Sequence, residues 1–324
     1  MELKHYDNGR ELMEAVFRGE VTDRLPRDGV DYLNIMFMPE YPQKVENGGG
    51  YDPFGVYMEL TPDGFTPTKA VVEDIEEWED EVTIPDPADL NMEEDAKKVL
   101  AGFDKTKMML RMDIPYCHFE RLWSVVGFEN TMVGFYTDPD ATKAALAQLT
   151  DYFIEKFKLI KKYYDVDILV CHDDWGGNDN MFFSPDLWRE FIKPELKRLV
   201  DAVHDLGMYY EQHSCGHIQE IVGDLVELGV DALQPLMAAC NDIPMIKEQY
   251  GDKLVLCGCC DTRGIVDLGA TEEIVRQKAR TSFEQGAPGG RFIPSRVVYG
   301  EGNDWKRPII EEELKKYEQT HLVP

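Results

Sequence analysis

The stretch "YYEQHSCGH" (209–217) sets a glutamate, two histidines and a cysteine within one short run of chain. His213 and Cys215 are two residues apart, so in extended backbone their side chains leave on the same side. Neutral imidazole and thiolate are good zinc ligands, and an H-x-C pair at a strand end supplies two corners of a tetrahedron. Glu211 lies on the same face one layer deeper, either as a further ligand or as an acceptor that fixes the imidazole tautomer. The alternative is a histidine bonded to backbone beside a buried thiol, and H-x-C alone does not decide between them. His217, at the start of the next helix, reads as structural or substrate-facing.

Two further stretches carry chemistry. "CGCCDTRG" (257–264) packs three cysteines into four residues. Cys257 and Cys259 share one face and Cys260 takes the other. Adjacent cysteines bridge only with strained geometry, which favours a metal site over a redox pair. Cys259 and Cys260 are therefore candidates for a missing zinc ligand, ahead of Glu211. "HDDWGGND" (172–179) places Asp173 and Asp174 together, where they could orient a substrate or do acid/base work. The competing reading is that they cap a turn before the glycines. Trp175 would supply an apolar wall beside them.

These motifs share one setting, the end of an apolar run. Candidate strands are 30–37, 107–114, 166–172, 207–213, 230–236, 253–259 and 290–295, with a short one near 130–136. Amphipathic helical stretches separate the later ones. The longest, 184–207, opens with Ser184 as N-cap and Pro185 at its first position, and stops at Gly207. Strands alternating with helices imply a parallel sheet with right-handed crossovers. Eight strands predict an α/β fold of the (β/α)8 TIM-barrel type, with an open doubly wound sheet as second choice. In such a barrel functional groups gather at the C-terminal strand ends, where all three motifs fall. Residues 1–105 read as an irregular N-terminal part with the first strand and a hairpin around "TPDG", and 106–324 as regular β/α units of the same single domain.

Bulk properties narrow the function. The chain has 324 residues, 43% hydrophobic and 30% charged, with 62 acids against 34 bases and a net charge of -28. Such a surface repels phosphate backbones and anionic membranes, so neither nucleic acid nor membrane is expected as a partner. No apolar run approaches the roughly 20 residues needed to cross a bilayer, and "MELKHYDNGRELMEAVFRGE" has no apolar signal core, so a cytoplasmic location is expected. Seven cysteines in that compartment argue for metal or redox chemistry rather than disulfides, with Cys117, Cys171 and Cys240 filling core positions.

Taken together, "FERLWSVVGFENTMVGFYTDPD", "HDDWGG", "FFSPDLWREFIKPELKRLVDAVHDLGM", "HSCGHIQEIVGDLVELGVDALQPL" and "LCGCCDTRGI" resemble the uroporphyrinogen decarboxylase superfamily, most closely its cobalamin-dependent methyltransferase-like branch. The resemblance runs from "FRGEVTDRLPR" to "YEQT" and implies a single (β/α)8 barrel. It implies a zinc-dependent transfer of a methyl group between a small methylated substrate and a corrinoid protein. Methyltransferases of the branch hold zinc with H-x-C and a later cysteine, and His213 and Cys215 match the first two. The later cysteine is missing from "IPSRVVYGEGND" (293–304), which leaves the third ligand open. The arginine-rich segment with which decarboxylases hold tetrapyrrole carboxylates has no counterpart in "DRLPRDGVDYLNIMFMPEYP" (23–42); a metal-independent decarboxylase is the alternative.

Under the methyltransferase reading, Trp175, Tyr209, Tyr299 and "YLNIMFMPEY" would wall a methoxylated aromatic substrate, with Arg263 and Arg296 on its carboxylate. Asp173, Asp174 or Glu211 would protonate the departing oxygen. No D-x-H-x-x-G segment of the corrinoid-carrying kind occurs, so the cobalamin would ride on a separate corrinoid protein docking over the barrel mouth. Homodimers are common in the family.

Overall fold

In the computed structural model, residues 3–323 are described apart from 62, 63, 296, 297 and 299. The main sheet has seven parallel strands in the order β1-β5-β6-β7-β8-β9-β10. They are β1 (Tyr32–Met36), β5 (Met109–Ile114), β6 (Ile168–His172), β7 (Tyr209–His213), β8 (Ala232–Gln234), β9 (Val255–Gly258) and β10 (Phe292–Pro294). Between β1 and β5 the chain builds an antiparallel sheet from β2 (Gly49–Tyr51), β3 (Tyr57–Thr61) and β4 (Gly64–Lys69), which is the expected hairpin; Pro62 and Asp63 of its "TPDG" turn lie outside the described residues.

The seven-stranded sheet curls on itself as in a TIM barrel. Tyr32 on the first strand and Ile293 on the last join Met109, Ile168, Val170, Ala232, Val255 and Cys257 in one buried cluster. The helix Gly9–Arg18 closes the N-terminal end of this interior with Met13, Val16 and Phe17. Asn8 starts that helix by accepting from the backbone N–H of Arg10 and Glu11, and Gly19, at φ 80°, ends it. The larger core lies outside the strands, beneath the helical layer.

The expected strand near 130–136 is instead part of the helix Phe128–Thr137. Its buried residues Thr131, Gly134 and Phe135 recur at helical spacing rather than alternating, which is why the short apolar run misleads. Among the described residues the ladder therefore has seven strands. The stretch 184–207 forms two helices, Pro185–Phe191 and Lys193–Asp205, because Pro194 cannot donate to a continuous helical ladder. Ser184 does cap the first, accepting from Leu187 N–H at 3.2 Å.

Along the barrel interior the inward faces of β5, β6 and β7 run from apolar at their start to polar at their end. On β5 Met109 precedes Arg111 and Asp113, on β6 Ile168 and Val170 precede His172, and on β7 Tyr209 precedes Glu211 and His213. The period-2 alternation of strands sends these residues to one side. The sheet thus delivers its polar groups together at one end.

Candidate metal centre at the barrel mouth

The mouth opens into a cavity of about 740 Å³ lined by residues from all seven strands and the loops that follow them. Its floor is a buried ion pair. Arg111 grips Glu211 through Nε and Nη2 at 2.9 and 2.7 Å, and its Nη1 donates to Asn34 Oδ1 at 2.5 Å. Asp113 accepts from Asn34 Nδ2 at 2.6 Å and Gln234 Nε2 at 3.3 Å, and it also contacts His172 Nε2 at 2.8 Å and Arg111 Nη1 at 3.5 Å. Burial pushes the Asp113 carboxyl up, but the Arg111 charge and the His172 bond outweigh it and hold the carboxyl well below the usual carboxylate range.

Above this floor three donors converge. His213 Nε2 lies 3.5 Å from Cys215 Sγ and 3.6 Å from Asp174 Oδ1. All three ligand atoms fall within 4.8 Å of one another, and theirs is the one such group of three or more His, Cys, Asp or Glu among the described residues. The loops after β6 and β7 bring this about by crossing in contact. A Cβ on Gly216 would sit 2.2 Å from Gly176 O, and one on Gly176 would sit 2.5 Å from His217 O, so neither loop tolerates a side chain there. Across the crossing Asp174 Oδ1 accepts the backbone N–H of Cys215 at 2.7 Å, and Ser214 Oγ accepts that of Trp175 at 2.9 Å.

The donor spacing fits a tetrahedral zinc ion. Bonds of about 2.0–2.3 Å place neighbouring ligand atoms roughly 3.3–3.7 Å apart, and the two separations from His213 Nε2 match. The electrostatics fit as well. Burial, then His172 and Arg111, hold the His213 imidazole well below its ordinary value, so it stays neutral, as a ligand must be. Burial pushes the Cys215 thiol far up, with Asp174 and Glu120 adding to it, and burial raises the Asp174 carboxyl too. Two groups that become anions, gathered without a cation among them, are what a divalent ion would stabilise.

The predicted residues separate sharply. His213 and Cys215 come together, and Asp174 joins them as the third donor. Asp173 turns aside: buried, it accepts from the Glu120 backbone N–H at 2.7 Å and from Trp175 Nε1 at 2.8 Å, capping the helix His118–Val126. Glu211 is committed to Arg111 and stands below the donor group rather than in it. Trp175 is fully buried, edge-on to Trp188 at 5.3 Å, and belongs to the core instead of the cavity wall. Tyr209 stands at the opposite end of the barrel, stacked on Phe17 at 4.1 Å, because it is the first residue of its strand, not the last.

Cys259 and Cys260 do not line the cavity, although Cys257 and Gly258 do. Cys259 takes φ 53° and its N–H is bonded to Pro235 O and Cys257 O, so the chain turns away and buries the side chain. Cys260 packs 4.0 Å from Lys278 O, its thiol pushed up to about 12 by burial and Asp261. Arg263 lines the cavity and has no ion-pair partner among the described residues. Arg296 and Tyr299 lie outside the described residues.

Sequence reasoning passed over Asn34, Arg111, Asp113, His172 and Gln234, all of which line the cavity. The signal was present in "MLRMDI", where Arg111 and Asp113 interrupt an apolar strand at a spacing of two. Ionised groups on one face of a buried strand need partners, and here those partners form the floor.

A parallel barrel whose mouth gathers acid, imidazole and thiol defines a class of enzyme scaffold. The uroporphyrinogen decarboxylase (URO-D) family profile matches residues 119–295, from the first helix after β5 to the end of β10, and the chain belongs to that family. A solved structure described as a methyltransferase from Methanosarcina mazei superposes with a TM-score of 0.72 at 14% identity, covering 96% of this chain and 99% of that one. At that identity the likeness is one of fold. A second structure, of an uncharacterized protein, covers 51% of this chain and 44% of its own at 15% identity and a TM-score of 0.32, and carries no argument. No curated protein matches the sequence. No helix among the described residues is long and apolar enough to cross a membrane.

Proposed function

We propose that this protein is a zinc-dependent methyltransferase that moves a methyl group between a small methylated substrate, of the methoxylated aromatic kind, and a corrinoid protein. The observation that carries the reading is the convergence of Asp174, His213 and Cys215 at the edge of a cavity large enough for such a substrate. The resemblance to a methyltransferase fold over nearly the whole chain supports it.

His213, Cys215 and Asp174 would hold zinc, which when bound supplies a Lewis acid for the oxygen that loses its methyl group. Met36, Met237, Ile293 and Pro294 give the cavity apolar walls, and the unpaired Arg263 is set to receive a substrate carboxylate. The Arg111–Glu211 pair keeps the floor rigid and closed. The corrinoid protein docks over the mouth, since the inward groups face that way.

The test is a single-turnover assay with zinc-loaded protein, cob(I)alamin and a methoxylated benzoate. Release of the free phenol with matching methylation of the cobalamin is the expected result. Protein that takes up no zinc and yields carbon dioxide from the same acid would replace this reading with a metal-independent carboxy-lyase.

A further inference from the structure

A histidine that binds metal must have its ring plane fixed, and the usual device is a hydrogen bond from its second nitrogen to a carboxylate or carbonyl. His213 lacks it. With Nε2 aimed at Cys215 and Asp174, its Nδ1 is buried and makes no bond of good geometry, although the Gln234 side chain is near enough to act on the ring. That contact lies outside hydrogen-bonding geometry, and a second, closer contact bears on the ring.

His172 faces it. The two residues are register partners on adjacent parallel strands, which run about 4.8 Å apart. Their rings lie flat against each other with centroids 3.9 Å apart and planes 6° from parallel. The His172 ring is itself anchored through Nε2 to Asp113 at 2.8 Å. Asp113 is held in turn by Asn34 from β1 and Gln234 from β8, and Arg111 ties Asn34 to Glu211 on β7. A polar frame reaching across the barrel therefore ends in one imidazole face, and that face lies on His213.

We propose that His172 is a positioning residue, whose ring, pinned by Asp113, sets by face-to-face packing the plane in which His213 presents Nε2 to a metal ion. The inference rests on the metal reading above and adds the part of the site that orients its histidine. It assigns to stacking the task that a hydrogen bond performs in most histidine metal sites.

The experiment measures zinc affinity by competition with a chromophoric chelator, and the visible bands of the cobalt(II)-loaded protein, for wild type, His172→Phe, His172→Gln and His172→Ala. Melting curves check that each variant is folded. Phenylalanine keeps a flat face without the bond to Asp113, whereas glutamine keeps a polar group without the face. The phenylalanine variant, which keeps the face and loses the pin, is expected to bind more tightly than the glutamine and alanine variants and more weakly than wild type, with cobalt bands closest to those of wild type. Glutamine and alanine are expected to lose roughly 10- to 100-fold and to shift the bands. Alanine binding as tightly as wild type, or phenylalanine losing as much as alanine, would overturn the positioning role and leave the metal site standing. Wild-type protein that binds neither metal would overturn both.

Discussion

Two strands of the barrel end in cysteine-bearing motifs, and only one of them faces the cavity with its strand-end thiol beside other donors. After β7 the chain continues extended through Ser214, so His213 and Cys215 keep the same side and meet Asp174. After β9 the backbone turns at Cys259 into the left-handed region, which buries Cys259 and Cys260 behind the barrel wall. Both motifs place cysteines within two residues of a strand's C-terminal end. The difference lies at the strand's exit, where Gly258 (φ 86°) and then Cys259 (φ 53°) leave the extended region and end the alternation.

The largest effect expected from this contrast is at the first motif. His213→Ala and Cys215→Ala each remove one of three protein ligands and should cut zinc affinity by on the order of 1,000-fold or more, read by chelator competition. Retention of stoichiometric zinc in either variant would show that the two motifs do not differ in the way described.

A second comparison sets His213 against His118, both held neutral but only one beside other donors. His118 contacts Thr150 through Nε2 at 2.8 Å, and its Nδ1 has no partner among the described residues. Burial lowers its pKa to about 3 from an unfolded value of 6.5. Its folded pKa is depressed, so its contribution to stability is complete above pH 6.5 and is lost as pH falls toward 3. Between pH 7 and pH 4 this amounts to about 3 kcal/mol. His118→Asn should flatten the acid limb of the stability curve by that amount in denaturant titrations at several pH values. Parallel curves for variant and wild type would assign the acid sensitivity elsewhere.

Asp174→Asn sharpens the comparison at the third donor. The amide preserves shape and removes charge, so zinc binding should weaken by roughly 10- to 100-fold without loss of fold. An unchanged affinity would mean that the carboxylate only supports the Cys215 backbone. The smallest effect belongs to the second motif. Cys259→Ala and Cys260→Ala should leave zinc affinity within about twofold and cost about 1 kcal/mol each in stability, from lost packing.

Most of the architecture was legible in the sequence because apolar runs and cap residues are local signals. Each of the seven barrel strands falls within an expected run, and Ser184 caps the helix it was assigned to. The run near 130–136 misled because seven apolar and small residues fit either period, and only burial of Thr131, Gly134 and Phe135 on one side resolves it. At the site, His213 and Cys215 lie two residues apart in sequence and so were visible. Asp174 was visible as an acid but not as their companion, since the crossing of two loops at Gly176 and Gly216 is a tertiary event. The frame of Asn34, Arg111, Asp113 and His172 is spread over three strands, so no local pattern announces it. Tyr209 was misplaced for a simpler reason: it is at the start of its strand, and in a barrel that is the far end of the molecule.

The central claim is that one thiolate, one imidazole and one carboxylate hold the metal. X-ray absorption at the zinc edge of the loaded protein tests it most directly. The account predicts a single sulfur scatterer near 2.3 Å with the remaining ligands nitrogen or oxygen at about 2.0–2.1 Å. Two or more sulfurs per zinc would bring the "CGCC" cysteines into the site and contradict the assignment of Asp174.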